Sequence, residues 1–224
     1  VRLFYRDDWH GEPWRKPEPV LLIHGVGESG IAWWGWMPRM AQEFRVLRPD
    51  LPGFGASARD LPDYSFQTHS VYLLELLDAL HVPKAQLLGL SMGGGVVLTL
   101  ADQAPERVQS LVLLSAIGVQ EKELSGSYER NHAIHGAQLA VLWSLRNLFP
   151  HFGSFHALPF TVEYARNFYD SDQRTLRGML ERYRGPMLIL HGTRDRNVPI
   201  AAAREHHTLA PQSELIEFDA DHYM

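Results

Sequence analysis

Leu87-Leu88-Gly89-Leu90-Ser91-Met92-Gly93-Gly94-Gly95 decides how this chain is read. The apolar run from Gln86 to Leu90 predicts a buried strand, and Val96-Val97-Leu98-Thr99-Leu100-Ala101 predicts a helix. Between them stands one serine, with glycines two residues to either side. Strand, serine, helix is the layout of a nucleophile elbow. The turn must be sharp enough to lift the hydroxyl clear of the backbone, so Gly89 and Gly93 must lack side chains. A helix starting just after Ser91 also aims its free N–H groups at an anion formed there. The pentapeptide is weakly specific by itself, and a glycine-rich turn is the plain alternative. The strand before it and the helix after it supply the context that the motif requires.

Composition narrows the rest. The chain has 224 residues, 45% of them hydrophobic, and a net charge of −5, which suits one globular domain with an inserted subdomain. Mild acidity and the lack of a basic stripe argue against nucleic acid as a partner. With no cysteine, disulfides, thiol catalysis and cysteine-ligated metals are excluded. No run of 18 apolar residues is present, so no transmembrane helix is expected, and no signal peptide is visible. A cytoplasmic location is the default expectation, with the compartment itself left open. The chain starts at Val1 and stops at Met224, directly after a histidine of interest, and both ends read as cut from something longer.

Val1 to Tyr5 alternates as a first strand would, with Arg6-Asp7-Asp8 opening a loop. Val20-Leu21-Leu22-Ile23 is a continuous apolar run, as in a strand covered on both faces. Trp33, Trp36, Met37, Met40, Ala41 and Phe44 recur at helical spacing, and Phe44 to Leu47 is the next strand. Ser65 caps a helix running to about Leu80. Leu111-Val112-Leu113-Leu114, Met187-Leu188-Ile189-Leu190 and Glu214 to Phe218 are further strands, and Pro199 to Leu209 is a helix. This rhythm predicts a mostly parallel sheet with helices on both faces. It breaks between 119 and 184, where three helices are expected (around Leu139–Leu148, Val162–Tyr169 and Gln173–Tyr183) in a segment rich in aromatics and histidine. That segment reads as a helical cap over a mostly apolar pocket. The domain plan is a core of residues 1–118 and 185–224 with a cap of residues 119–184.

A serine hydroxyl needs a base within hydrogen-bond reach, and the base needs an acid to orient it. Ser91, Asp195 and His222 each fall just past a predicted strand end, where working groups of open α/β sheets collect. Their chain order, Ser then Asp then His, is one of the known orders for this constellation. Asp195 also fits a helix-capping role, and His222 a surface position. Asp50 opens a Gly/Pro loop and reads as structural, while Asp219 and Asp221 read as sharing the loop of His222. His24 and His191 precede glycines at strand ends and are assigned to backbone hydrogen bonding. The oxyanion donors are expected to be the backbone N–H of Met92 and, from the turn His24-Gly25-Val26-Gly27, that of Val26. The close histidine pairs, His132/His135 and His206/His207, lack an acidic ligand pattern, so neither a metal nor another cofactor is expected.

With these residues assembled, the chain resembles the α/β-hydrolase superfamily along nearly its whole length. The matching stretches are Leu22-Ile23-His24-Gly25-Val26-Gly27, Asp50-Leu51-Pro52-Gly53-Phe54-Gly55-Ala56-Ser57, Gly89-Leu90-Ser91-Met92-Gly93-Gly94, Leu190 to Pro199 and Asp221-His222. The resemblance implies Ser91 as nucleophile, His222 as base and then acid, Asp195 as orienting carboxylate, and residues 119–184 as the cap. A serine at 91 disfavours the dehalogenases and epoxide hydrolases of similar appearance, which place a carboxylate there. There are two departures. Asp221, not glycine, precedes His222, and the helix that usually follows the histidine is missing. The expected activity is hydrolysis of an ester-type bond in a small, fairly apolar substrate. The alternatives are carbon–carbon bond hydrolysis of ring-cleavage products, cofactor-free haloperoxidase or perhydrolase chemistry, or a ligand-binding module that kept the fold without catalysis. A polar, arginine-lined pocket would favour the carbon–carbon reading, whose substrates carry carboxylates.

Overall fold

The computed structural model describes residues 1–123, 125–148 and 161–223. Seven strands form one sheet: β1 (Tyr5–Asp8), β2 (Glu18–Ile23), β3 (Phe44–Pro49), β4 (Ala85–Leu90), β5 (Val108–Leu114), β6 (Met187–Gly192) and β7 (Glu214–Phe218). Their spatial order is β1-β3-β2-β4-β5-β6-β7. Every neighbouring pair is parallel except β1 with β3.

The apolar runs explain why the inner strands lie at the centre. Successive side chains point to opposite faces, so a strand apolar at every position must be covered twice. Leu21 and Ile23 of β2 and Leu87 of β4 pack on one face with residues of α2 (Phe66–Ala79), α3 (Met92–Gln103), α6 (Arg174–Arg182) and α7 (Ile200–Leu209). Val20, Leu22, Leu88 and Leu90 pack on the other face with Trp33 and with Met37 and Ala41 of α1 (Met37–Glu43). The cap of α2 forms as its sequence predicts, Ser65 Oγ accepting from the Thr68 N–H at 3.2 Å.

The first strand lies further along than its alternating pattern suggests. Residues 5–8 pair antiparallel with β3, so the charged Arg6-Asp7-Asp8 is strand and not loop. The reason lies on the partner. Asp7 pairs with Arg45 at 2.6 Å and Asp8 with Arg48 at 2.7 Å, and both arginines are on β3. A polar edge strand is held by these cross-strand charges rather than by a buried face. The helical spacing from Trp33 onward also resolves into two pieces, a 3-10 segment over Gly30–Trp36 and then α1. Trp33 is buried there, whereas Trp34 is largely exposed.

Of the segment between β5 and β6, α4 (Tyr128–Leu148), α5 (Val162–Asp170) and α6 are described. Phe149, His151, Phe152, Phe155, His156 and Phe160, which colour the sequence reading of this segment, lie outside the described residues. Ring stacking joins α4 to α5, with His132 on Tyr169 at 4.0 Å and His135 on Phe168 at 5.2 Å between centroids. The His132/His135 pair thus packs against aromatics, and among the described residues no group of three or more metal-binding side chains converges. α5 is tied to the segment before α2: the Tyr64 N–H donates to Asp170 at 3.0 Å and Phe66 N–H to Ser171 Oγ at 3.2 Å. In α6, Leu176 and Leu180 are fully buried in the same core as α3. Among the described residues no helix is long and apolar enough to cross a membrane.

Candidate active site

The parallel register levels the strand ends after which the candidate residues stand. Leu90 of β4 lies beside Leu114 of β5, Leu114 beside Leu190 of β6, and Leu190 beside Ile216 of β7. The carboxyl ends of four strands are therefore level. Ser91 follows Leu90 directly, while Asp195 and His222 stand on the loops after β6 and β7.

Ser91 adopts φ 53° and ψ −119°, a positive φ that a residue with a side chain takes at a cost of order 1–3 kcal/mol. Its backbone holds the strain in place. The Ser91 N–H donates to Leu114 O at 3.0 Å, and its carbonyl accepts from Gly94 at 2.9 Å and Ile117 at 3.1 Å. The glycines are steric necessities. A Cβ on Gly89 would stand 2.4 Å from Gly93 O, and one on Gly93 would stand 2.5 Å from Ile23 O and 2.7 Å from His24 O. Each clash is with backbone, which has nowhere to go. Gly93→Ala is accordingly expected to lose at least about 3 kcal/mol of stability, a melting temperature lower by about 6–12 °C. Gly35→Ala, where a Cβ meets nothing within 4 Å, is the control and should leave the thermal melt within about 2 °C of the parent.

Asp195 and His222 meet. His222 Nδ1 lies 2.7 Å from Asp195 Oδ2, and both residues are buried. The other carboxylate oxygen accepts the N–H groups of Asn197 at 2.8 Å and Val198 at 2.9 Å. Burial pushes the Asp195 carboxyl up, but the bonds to His222 and to the N–H groups of Val198 and Asn197 outweigh it, leaving the group below the usual carboxylate value. Asp195 thus closes its own turn and faces the imidazole; it does not cap the following helix, since α7 starts after Pro199 with no side-chain cap. With a carboxylate on Nδ1, that nitrogen carries the proton and Nε2 is left as acceptor.

The rival groups are engaged elsewhere. Asp50 accepts from the N–H groups of Gly30 at 2.7 Å and Ala56 at 2.8 Å, pinning two loops. Asp219 pairs with Arg194 at 3.0 Å, and Asp221 accepts the Tyr223 N–H at 3.0 Å. His24 donates from Nδ1 to Gly25 O at 2.8 Å and accepts the Leu51 N–H on Nε2 at 2.9 Å, and burial drives its pKa down to about 4. His191 Nε2 donates to Val198 O at 2.8 Å. The same atom lies 3.4 Å from Asp195 Oδ2, a contact that sequence spacing does not reveal.

The turn after β2 stands beside Ser91. A Cβ on Gly25 would lie 3.4 Å from Ser91 Cβ and 3.3 Å from Glu28 Oε2. Glu28 Oε2 accepts the Gly25 N–H at 3.1 Å, and the Glu28 N–H returns to Gly25 O at 3.3 Å. Val26 falls within this closed turn, and the Met92 N–H, as the first residue of α3, has no partner within the helix. Beyond Glu28 comes Tyr223. Burial first, and then the Glu28 charge, raise the pKa of its phenol, which also senses Asp195 and Tyr164 of α5. Glu28 was not singled out from the sequence. The available signal was an acid placed four residues beyond a buried strand-end histidine, within the proposed oxyanion turn.

The family described as alpha/beta hydrolase fold matches residues 18–136. The chain is 29% identical over 226 residues to a 2-hydroxy-6-oxo-2,4-heptadienoate hydrolase of Pseudomonas putida, covering 89% of this chain and 80% of that protein. It is 32% identical over 215 residues to the dihydrolipoyllysine-residue acetyltransferase component of an acetoin cleaving system of Pseudomonas putida, covering 88% of this chain and 56% of that one. The chain therefore spans little more than half the length of the latter relative. Among solved structures, a hydrolase from Pseudomonas aeruginosa PA01 is similar with a TM-score of 0.74 at 26% identity, covering 99% of this chain and 87% of that one.

Proposed function

The chain belongs to the α/β-hydrolase family, and from that premise we propose that it is a serine hydrolase that cleaves an ester-type bond of a small, fairly apolar substrate through an acyl-enzyme. The observation that carries the reading is the buried 2.7 Å contact of His222 with Asp195, on loops that follow strands level with the one that leads into Ser91, itself held at positive φ. Ser91 Oγ attacks the ester carbonyl while His222 Nε2 takes its proton. Asp195 holds the imidazole in the required tautomer and stabilises the imidazolium. The N–H groups of Met92 and Val26 receive the developing oxyanion, where a single donor is worth about 100- to 1000-fold in rate. His222 returns the proton to the leaving alcohol, and water, activated by the same histidine, releases the acid. α4 and α5 serve as the cap: Tyr164 of α5 reaches the neighbourhood of Tyr223, and Glu163 that of Gly53 in the loop after β3.

Mixing the protein with p-nitrophenyl butyrate in a stopped-flow instrument is expected to give a burst of one p-nitrophenol per chain before the steady state. A fluorophosphonate probe should then add to the peptide carrying Ser91. Labelling that falls elsewhere, or no labelling with no burst, would overturn the assignment and favour a binding module. Carbon–carbon bond hydrolysis is the second reading, favoured by the similarity to the heptadienoate hydrolase.

A further inference from the structure

We propose that Glu28 sets the charge preference of this site, so that esters with an uncharged or cationic acyl group are accepted and esters whose acyl group carries a carboxylate are rejected. The inference rests on the serine-hydrolase reading and names its substrate class. Glu28 sits on the turn that supplies the oxyanion donor, half-buried, on the side of Gly25 that faces Ser91. Its described polar neighbours are the Gly25 N–H and the Tyr223 phenol. Among the described residues, no lysine or arginine forms an ion pair with it. A half-buried carboxylate, without a cation to balance it, repels a second negative charge more strongly than a fully solvated one would.

Two neighbours strengthen the bias. Asp195 is close enough to Tyr223 for its negative charge to act there as well. The phenols of Tyr223 and Tyr164 are close enough to sense each other, and an aromatic ring suits an apolar or quaternary ammonium group better than an acid. The class this site would turn away is the one that the heptadienoate hydrolase takes by name. Position 28 is therefore where ester hydrolysis and hydrolysis of such an acid would part.

The test compares three p-nitrophenyl esters of similar reach: the butyrate, the monoester of glutarate, and the 4-(trimethylammonio)butyrate. In Glu28→Gln, an amide oxygen can still accept the Gly25 N–H, so the turn is kept while the charge is lost. The ratio of kcat/KM for the glutarate over the butyrate is expected to rise about tenfold, and that for the ammonium ester over the butyrate to fall about tenfold. Both changes should shrink in 1 M salt. Glu28→Ala should move both ratios the same way. Ratios that stay within about twofold of the parent in both variants would overturn the proposal. Binding of the corresponding p-nitroanilides to Ser91→Ala, measured by calorimetry, separates the two levels of inference. Charge-selective binding abolished by Glu28→Gln supports the role of Glu28 even if no ester is turned over, an outcome that would overturn the esterase reading alone. Equal affinity for the neutral and anionic anilides overturns the role of Glu28 whatever the rates.

Discussion

Ser91→Ala is expected to lower kcat for p-nitrophenyl butyrate by about 10⁵-fold or more, to abolish the burst, and to leave the fold intact. The size follows from what the hydroxyl does. In the proposed mechanism no acyl-enzyme forms without it, and the oxyanion donors and His222 could only assist direct attack by water, so a small residual rate is all that would remain. The fold survives because the hydroxyl carries no structural bond at the start of α3, where no side-chain cap is made. The hydrogen bonds at this position all run through the backbone, to Leu114, Gly94 and Ile117, and alanine keeps them. Alanine also takes the same strained φ as serine. The melting temperature should therefore stay within about 2 °C of the parent. Steady-state kinetics beside a thermal melt checks both halves. An activity loss of less than about 100-fold with a normal melt would mean that another group attacks the ester.

Asp195→Asn should cost about 10⁴-fold in kcat with little change in KM. The geometry makes this substitution informative. Oδ1 accepts the N–H groups of Asn197 and Val198, and an asparagine oxygen can do the same, so the turn after β6 is preserved. The amide NH₂ then occupies the place of Oδ2, 2.7 Å from His222 Nδ1. A donor there obliges Nδ1 to accept, which moves the imidazole proton to Nε2. In that tautomer Nε2 has no lone pair for the Ser91 proton. The imidazolium formed during attack also loses its counter-charge. Because the defect lies in proton transfer, the burst should slow together with kcat while substrate affinity holds. A loss below about tenfold would assign the orienting role to another carboxylate. His191 gives a second reading of the same variant. Its Nε2 lies 3.4 Å from Asp195 Oδ2, so the new NH₂ also faces an N–H that now donates to Val198 O. A modest drop in stability beside the large drop in rate is the expected signature.

Much of this arrangement was legible in the residues. The sharp turn at Ser91 could be read from Gly89 and Gly93, where the clash distances leave no alternative to glycine. The central strands could be read because Leu21, Leu22 and Ile23 are apolar at adjacent positions and so must be covered on both faces. Asp195 and His222 could be placed past strand ends, and Asp50 set aside, because a Gly/Pro loop needs an internal acceptor. These inferences share one property: burial and local chain geometry leave a periodic or steric trace within a few residues.

What the tertiary structure decided has no such trace. The strand at Tyr5–Asp8 is polar, and only its pairing with β3, where Arg45 and Arg48 meet Asp7 and Asp8, shows it to be a strand. Burial of Leu176 and Leu180 in the same core as α3 depends on where the chain goes after Asp170, not on the helical period itself. Asp195, rather than Asp219 or Asp221, faces the imidazole because the loops after β6 and β7 converge across 27 positions of sequence. Glu28 gains its meaning only when Gly25 is seen to touch Ser91. Local sequence determines which face a residue presents and whether the backbone can turn there. Which distant polar group it meets is set by strand order and register, since the energy of a charge depends on what surrounds it in space.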